Sequence, residues 1–130
     1  MVWQLGKQQL AAERKRLAGN LIGEVEENLK SLAQSEPLAS GAYELIKGAD
    51  QLKFFESDMA RQIIKTYEKI VTINDALAKY QTFRERSQGT AGFDTKNAEF
   101  EQFIGWYRKD LMSALDGLRT GLEKHLKEKA

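Results

Sequence analysis

Two stretches, Leu17 to Leu32 and Met59 to Tyr80, repeat apolar residues every three or four positions, and each carries one asparagine, Asn28 or Asn74, within its apolar stripe. That spacing gathers the apolar side chains on one face of a helix, and such a face has to be covered by other elements. No useful stretch alternates with the period of two that a half-buried strand requires, so helices must cover helices. The expected fold is all-α: an up-and-down helical bundle of three long helices and one short helix. A carboxamide inside such a stripe must find hydrogen-bond partners or incur roughly 1–3 kcal/mol of desolvation. It therefore points to a specified pairing of elements rather than to a reaction centre.

The first helix is expected over about Trp3 to Ala33, with Leu17, Leu21, Val25, Leu29 and Leu32 in its stripe. It should stop around Ser35, because Pro37, the only proline, disfavours helical geometry at Glu36 and donates no backbone hydrogen bond. Ser40 is the expected N-cap of a short helix that buries Tyr43, Leu45 and Ile46, and Gly48 the left-handed residue that closes it. Leu52, Phe54 and Phe55 read as an apolar plug beneath the following turn.

Ser57 is the expected N-cap of the third helix, on which Met59, Ile63, Tyr67, Ile70, Asn74 and Leu77 share a face widened by Ile64, Val71 and Ile73. Ser87 to Gly92 lacks periodicity and holds two glycines, which suggests a flexible, mobile connection. Asp94 or Thr95 would cap the last helix, whose stripe runs from Phe100 and Phe103 through Leu111 and Leu118 to Leu126.

A chain of 130 residues suffices for one domain, so residues 1–130 are expected to form a single bundle. Twenty basic residues against nineteen acidic ones leave +1, too little to gather a phosphate backbone, and no nucleic-acid partner is expected. The absence of cysteine excludes disulfides, thiolate metal sites and cysteine nucleophiles. No run reaches the roughly 20 apolar residues that cross a bilayer, and there is no signal-peptide pattern. The chain as given reads as soluble, and the basic run Arg14 to Arg16 near its start is what points to a cytoplasmic location.

Few residues invite a chemical role. His125, the only histidine, lies in a lysine-rich last turn and reads as a solvated helix end. Glu24 and Glu27 have the spacing of a divalent-cation pair, but no second acidic pair follows on the third helix, so they read as an ordinary acidic face. No catalytic residue, metal site or cofactor is expected. Asn28, Asn74 and Tyr67 are the candidates for a polar core or pocket: a mutual contact, or bonds to backbone and tyrosine hydroxyls, would satisfy the amides. Gly19 and Gly23, like Gly117 and Gly121, place two bare backbone patches one turn apart, a pattern that favours close helix packing. Arg14, Lys15 and Arg16 read as a solvated basic run. Of the adjacent Trp106 and Tyr107, at least one should be exposed as a partner surface.

The order Glu24-Val-Glu-Glu-Asn28-Leu29, Ala42-Tyr43-Glu44, Tyr67 and Ile73-Asn74 resembles that of uncharacterised small helical domains of prokaryotes, many of which follow an N-terminal membrane anchor. The resemblance covers about Leu17 to Leu77 and implies no activity. It implies a membrane tether upstream of Met1, with which Val2, Trp3, Leu5 and the basic run Arg14 to Arg16 agree. The expected function is a non-catalytic protein interaction or scaffolding module, working through a protein partner or self-association. The alternative is a ligand-sensing bundle with a small polar pocket near Asn28 and Asn74.

Overall fold

Each long stripe becomes a helix in the computed structural model, which describes residues 6–34 and 36–127. Helix α1 spans Lys7–Ala33, α2 Gly41–Gly48, α3 Ser57–Ser87 and α4 Phe93–Leu126, with a 3-10 turn at Leu52–Phe54 before α3. Among the described residues there is no strand. The readings that rest on Val2, Trp3, Leu5 and Ser35 lie outside the described residues.

Helix α4 is the common packing partner, lying along both α1 and α3. Its Leu111, Leu115, Leu118 and Leu122 meet Leu17, Leu21, Val25 and Leu32 of α1 and Ile63, Ile70 and Ile73 of α3 in one continuous core. The α3–α4 pair is antiparallel, as shown by the Lys69–Asp110 ion pair and the bond from Tyr80 to Glu101. Helices α1 and α3 run in the same direction, because Arg14 reaches Phe54 just before α3 begins, while Glu24 meets Tyr67 further along.

The connection between α1 and α3 therefore travels back down the bundle, and it does so wedged between them. Leu38, Tyr43, Ile46 and Phe55 of this connection are buried in the core. The connection thus serves as the fourth, descending element of an up-and-down arrangement.

The helix ends are closed differently from the sequence expectation in several places. Gly48 remains within α2, and the left-handed residue is Asp50 at φ 56. The amide of Asp50 reaches the Lys47 carbonyl at 3.1 Å and that of Gln51 the Ile46 carbonyl at 2.9 Å, a Schellman closure that an aspartate tolerates better than most residues. Helix α3 begins at Ser57 with Glu56, not Ser57, as its N-cap residue. Helix α4 is capped by Gly92 at φ 78 rather than by Asp94 or Thr95, and Gly89 at φ 83 makes the preceding turn. Both glycines are thus required by positive φ.

Four expected core residues face outward: Leu45, Val71, Phe103 and Leu126 are exposed, because α2 buries only Tyr43 and Ile46, α3 turns Val71 away from α4 and the core, and on α4 the neighbouring Ile104 and His125 take the inward positions. The glycine pairs divide. A Cβ at Gly121 would stand 2.7 Å from Met59 Cε, and one at Gly117 would stand 3.7 Å from Gln62 Nε2, so this pair lies on the α3–α4 seam. A Cβ at Gly19 would only touch Leu126, at 3.9 Å, and Gly23 meets nothing within 4 Å. Gly23 therefore makes no close helix approach; it lies on the outer face of α1.

Leu118 is completely buried where α1, α3 and α4 converge. Leu118→Ala is expected to lower stability by about 2–5 kcal/mol through lost burial and a residual cavity, measured by urea unfolding.

Candidate functional site

An extended backbone is a row of donors and acceptors pointing alternately to opposite sides. Residues 37–39, set on this course by Pro37, pass between two helices, where no neighbouring strand can satisfy them. Asn74 of α3 takes one side: its Oδ1 accepts from the Leu38 N–H at 2.8 Å and its Nδ2 donates to the Leu38 carbonyl at 3.0 Å. Asn28 of α1 takes the other side, accepting from the Ala39 N–H at 2.7 Å and donating to the Ala39 carbonyl at 2.8 Å. Each carboxamide thus occupies the place of a strand neighbour, and successive residues are clamped from opposite helices. The two asparagines contact the segment rather than each other.

One turn before Asn28 on α1, Glu24 performs the next step. Its carboxylate accepts from the backbone amides of Ala42 at 2.8 Å and Tyr43 at 3.3 Å, and from the Tyr67 hydroxyl at 2.7 Å. The amides are the first-turn donors of α2, which no intrahelical carbonyl can satisfy. Ser40 occupies the N-cap position of α2 but makes no side-chain capping bond, so the cap comes from a different helix. A negative group at this end is also favoured by the helix dipole. Glu24 is only 8% exposed, so the expectation of an ordinary acidic helix face is corrected: the carboxylate is turned inward, where three donors compensate its desolvation.

Tyr67 lies flat on Tyr43, with ring centroids 4.3 Å apart and planes 9° from parallel. Burial, then the hydrogen bond to Glu24 and the charge of that carboxylate, push the Tyr67 hydroxyl well above the ordinary tyrosine range. Burial also raises Tyr43, helped by the charges of Glu44 and Glu68. Both tyrosines are therefore held neutral, and Tyr67 serves as a donor to Glu24.

A signal for Glu24 was present in the pattern, since it falls three residues after Leu21 and four before Asn28, inside the stripe. His125 carries the same signal. It is buried, 8% exposed, and edge-on to Phe55 with centroids 5.7 Å apart, which corrects its reading as a solvated residue. Its place three residues after Leu122 and seven after Leu118 puts it on the core stripe of α4. Arg14 is also partly withdrawn from solvent, donating to the Phe54 carbonyl at 2.8 Å and pinning the 3-10 turn to α1.

The polar groups brought together here hold the chain's own backbone. Glu27 is exposed while Glu24 is buried, so the two carboxylates face different surroundings. Among the described residues, no three histidine, aspartate or glutamate side chains converge as a metal cluster. No helix among them is long and apolar enough to cross a membrane.

The outer surface is distinguished by α4. Trp106 is 64% and Phe103 50% exposed, and both rings pack edge-on against Tyr107, at 5.0 and 4.6 Å between centroids. Tyr107 is half-buried and rests on the core. No protein-family model matches the chain, and neither a curated protein nor a solved structure shows significant similarity to it.

The two asparagines should respond unequally to Asn→Ala. Asn28 is fully buried, so its loss orphans the Ala39 amide and carbonyl and is expected to cost about 1–3 kcal/mol. Asn74 is partly exposed, so water can replace it and the loss measured by urea unfolding should be smaller.

The raised Tyr67 pKa carries a sign. The folded state keeps its proton after the unfolded chain has released one, so this contribution to stability is intact below about pH 10 and falls as pH rises beyond it. Thermal melts should show that alkaline loss become shallower in Tyr67→Phe, with a residue left by Tyr43.

Proposed function

We propose that this chain is a non-catalytic protein interaction or scaffolding module. The observation that carries the reading is the division of labour in the bundle: the polar groups inside hold architecture, while large aromatic side chains are placed outside. Glu24, Asn28, Asn74 and Tyr67 are all engaged in fixing the connection between α1 and α3. Phe103 and Trp106, supported from beneath by Tyr107, offer rigid apolar area of the kind that anchors protein interfaces. The reading calls for no cofactor and no nucleic acid.

The ligand-sensing alternative has less support at the asparagines, because both amides already bind Leu38 and Ala39. In the favoured reading the module works at the cytoplasmic face of a membrane, tethered upstream of Met1. Its support is the exposed Lys15 and Arg16 of α1, at the same end of the bundle as Lys124 and Lys127 of α4. Such residues favour the cytoplasmic side and anionic lipid.

A photo-crosslinking amino acid placed at Trp106 is expected to capture a defined protein species in native cells. The same group at the exposed Glu26 on α1 is not. Equal capture at both sites, or none at Trp106, would refute the aromatic surface as the interface.

A further inference from the structure

Helix α1 stops at Ala33, whereas the α3–α4 hairpin continues to its turn at residues 88–92. Because Asn28 and Asn74 grip adjacent residues of one extended segment, Asn74 marks the level of α1's final turns. Beyond that level the hairpin has lost its third neighbour. Helix α3 has no fully buried residue after Ala76 and α4 none before Ile104, Phe83, Phe93 and Phe100 being only half-buried against one another. The result is an open groove between the two helices, with Leu77, Ala78 and Ile104 along its floor and Pro37 at its lower end.

We propose that the groove receives the same hairpin end from a second copy of the chain, so that two helical pairs complete one four-helix bundle. This rests on the interaction-module reading and names the partner of one of its surfaces. A two-fold interface must be complementary to itself, because each subunit presents the same patch. The groove meets that demand in charge: its lining includes two arginines, Arg84 and Arg108, and two glutamates, Glu85 and Glu101. The chain's net charge of +1 gives two copies little reason to repel.

The register adds a geometric reason. The bond between Tyr80 and Glu101 at 3.0 Å sets Glu101 level with Tyr80. Arg84 lies one turn further towards the tip. A two-fold axis crossing the groove near residue 82, midway between those levels, exchanges them and brings Arg84 of each copy level with Glu101 of the other, on the diagonal of the bundle. Ala78 is exposed on the floor and has a single methyl group, which permits the close approach of about 8–10 Å between helix axes found in packed bundles. A strongly charged foreign helix has no such match, since the four charges of the groove cancel.

The test is sedimentation equilibrium of the whole chain across a concentration series, with circular dichroism to check each variant's helix content. The wild type is expected to form a dimer. Glu101→Arg should weaken it at least roughly tenfold by opposing like charges, and Ala78→Glu should abolish it by placing a carboxylate on the floor. The double variant Arg84→Glu with Glu101→Arg should recover association by exchanging both signs. Both altered positions and Ala78 are exposed, so the fold should tolerate them. A wild type that stays monomeric, or a dimer indifferent to Ala78→Glu and Glu101→Arg, overturns the proposal. A monomer that still crosslinks a partner through position 106 would remove the dimer and leave the interaction module standing. A dimer without such crosslinks would do the reverse to the aromatic surface.

Discussion

Everything in this fold depends on satisfying a stretch of non-helical backbone that runs through the middle of a helical bundle. A buried amide or carbonyl without a partner costs as much as a lost hydrogen bond, often more. The stretch around Leu38 and Ala39 has helices on both sides, and a helix has already used its own backbone groups internally. Only side chains remain to answer it. A carboxamide is the one uncharged side-chain group with a donor and an acceptor side by side, and the chain supplies one from each flanking helix.

From that constraint the rest of the architecture follows. With the segment fixed, α2 begins at a set height and its unsatisfied first-turn amides fall beside Glu24. The carboxylate in turn collects the Tyr67 hydroxyl, and Tyr67 provides the platform on which Tyr43 stacks. Helices α1 and α3 are therefore joined through a layer of polar contacts and aromatic rings, while each meets α4 through leucine and isoleucine. The apolar side supplies burial and the polar side supplies register. A leucine-only interface could slide by a turn at modest cost, whereas four directional bonds to two consecutive residues cannot.

The helices themselves were legible because their information is periodic and local. The stripes of α1, α3 and α4, the stop before Pro37 and the placing of both asparagines on inward faces all come from spacing that survives folding unchanged. What escaped depends on contacts between distant parts of the chain. Glu24 lies inside the stripe, but its donors come into view only when α2's N-terminus is laid against it, and Ser40 looks like a cap until that carboxylate takes its role. Gly48 was a reasonable helix terminator by composition, but the turn was completed two residues later at Asp50. His125 shows that a lysine-rich neighbourhood is a weaker guide than position on the stripe. The outward placing of Trp106 agrees with its adjacency to Tyr107, although sequence did not say which of the two rings would turn inward.

The clamp recognises peptide groups and ignores the side chains they carry. Ala39 could become almost any residue that fits the space without disturbing the bonds made by its own N–H and carbonyl. The asparagines have no such freedom: aspartate keeps the shape but replaces the donor by an acceptor facing a carbonyl. The side chain at position 39 is thus free to change, whereas Leu38 is held by its burial and the two asparagines by their bonds. In a protein of this kind, kinship would be easier to trace through a pair of amides on separate helices than through the alanine one of them holds.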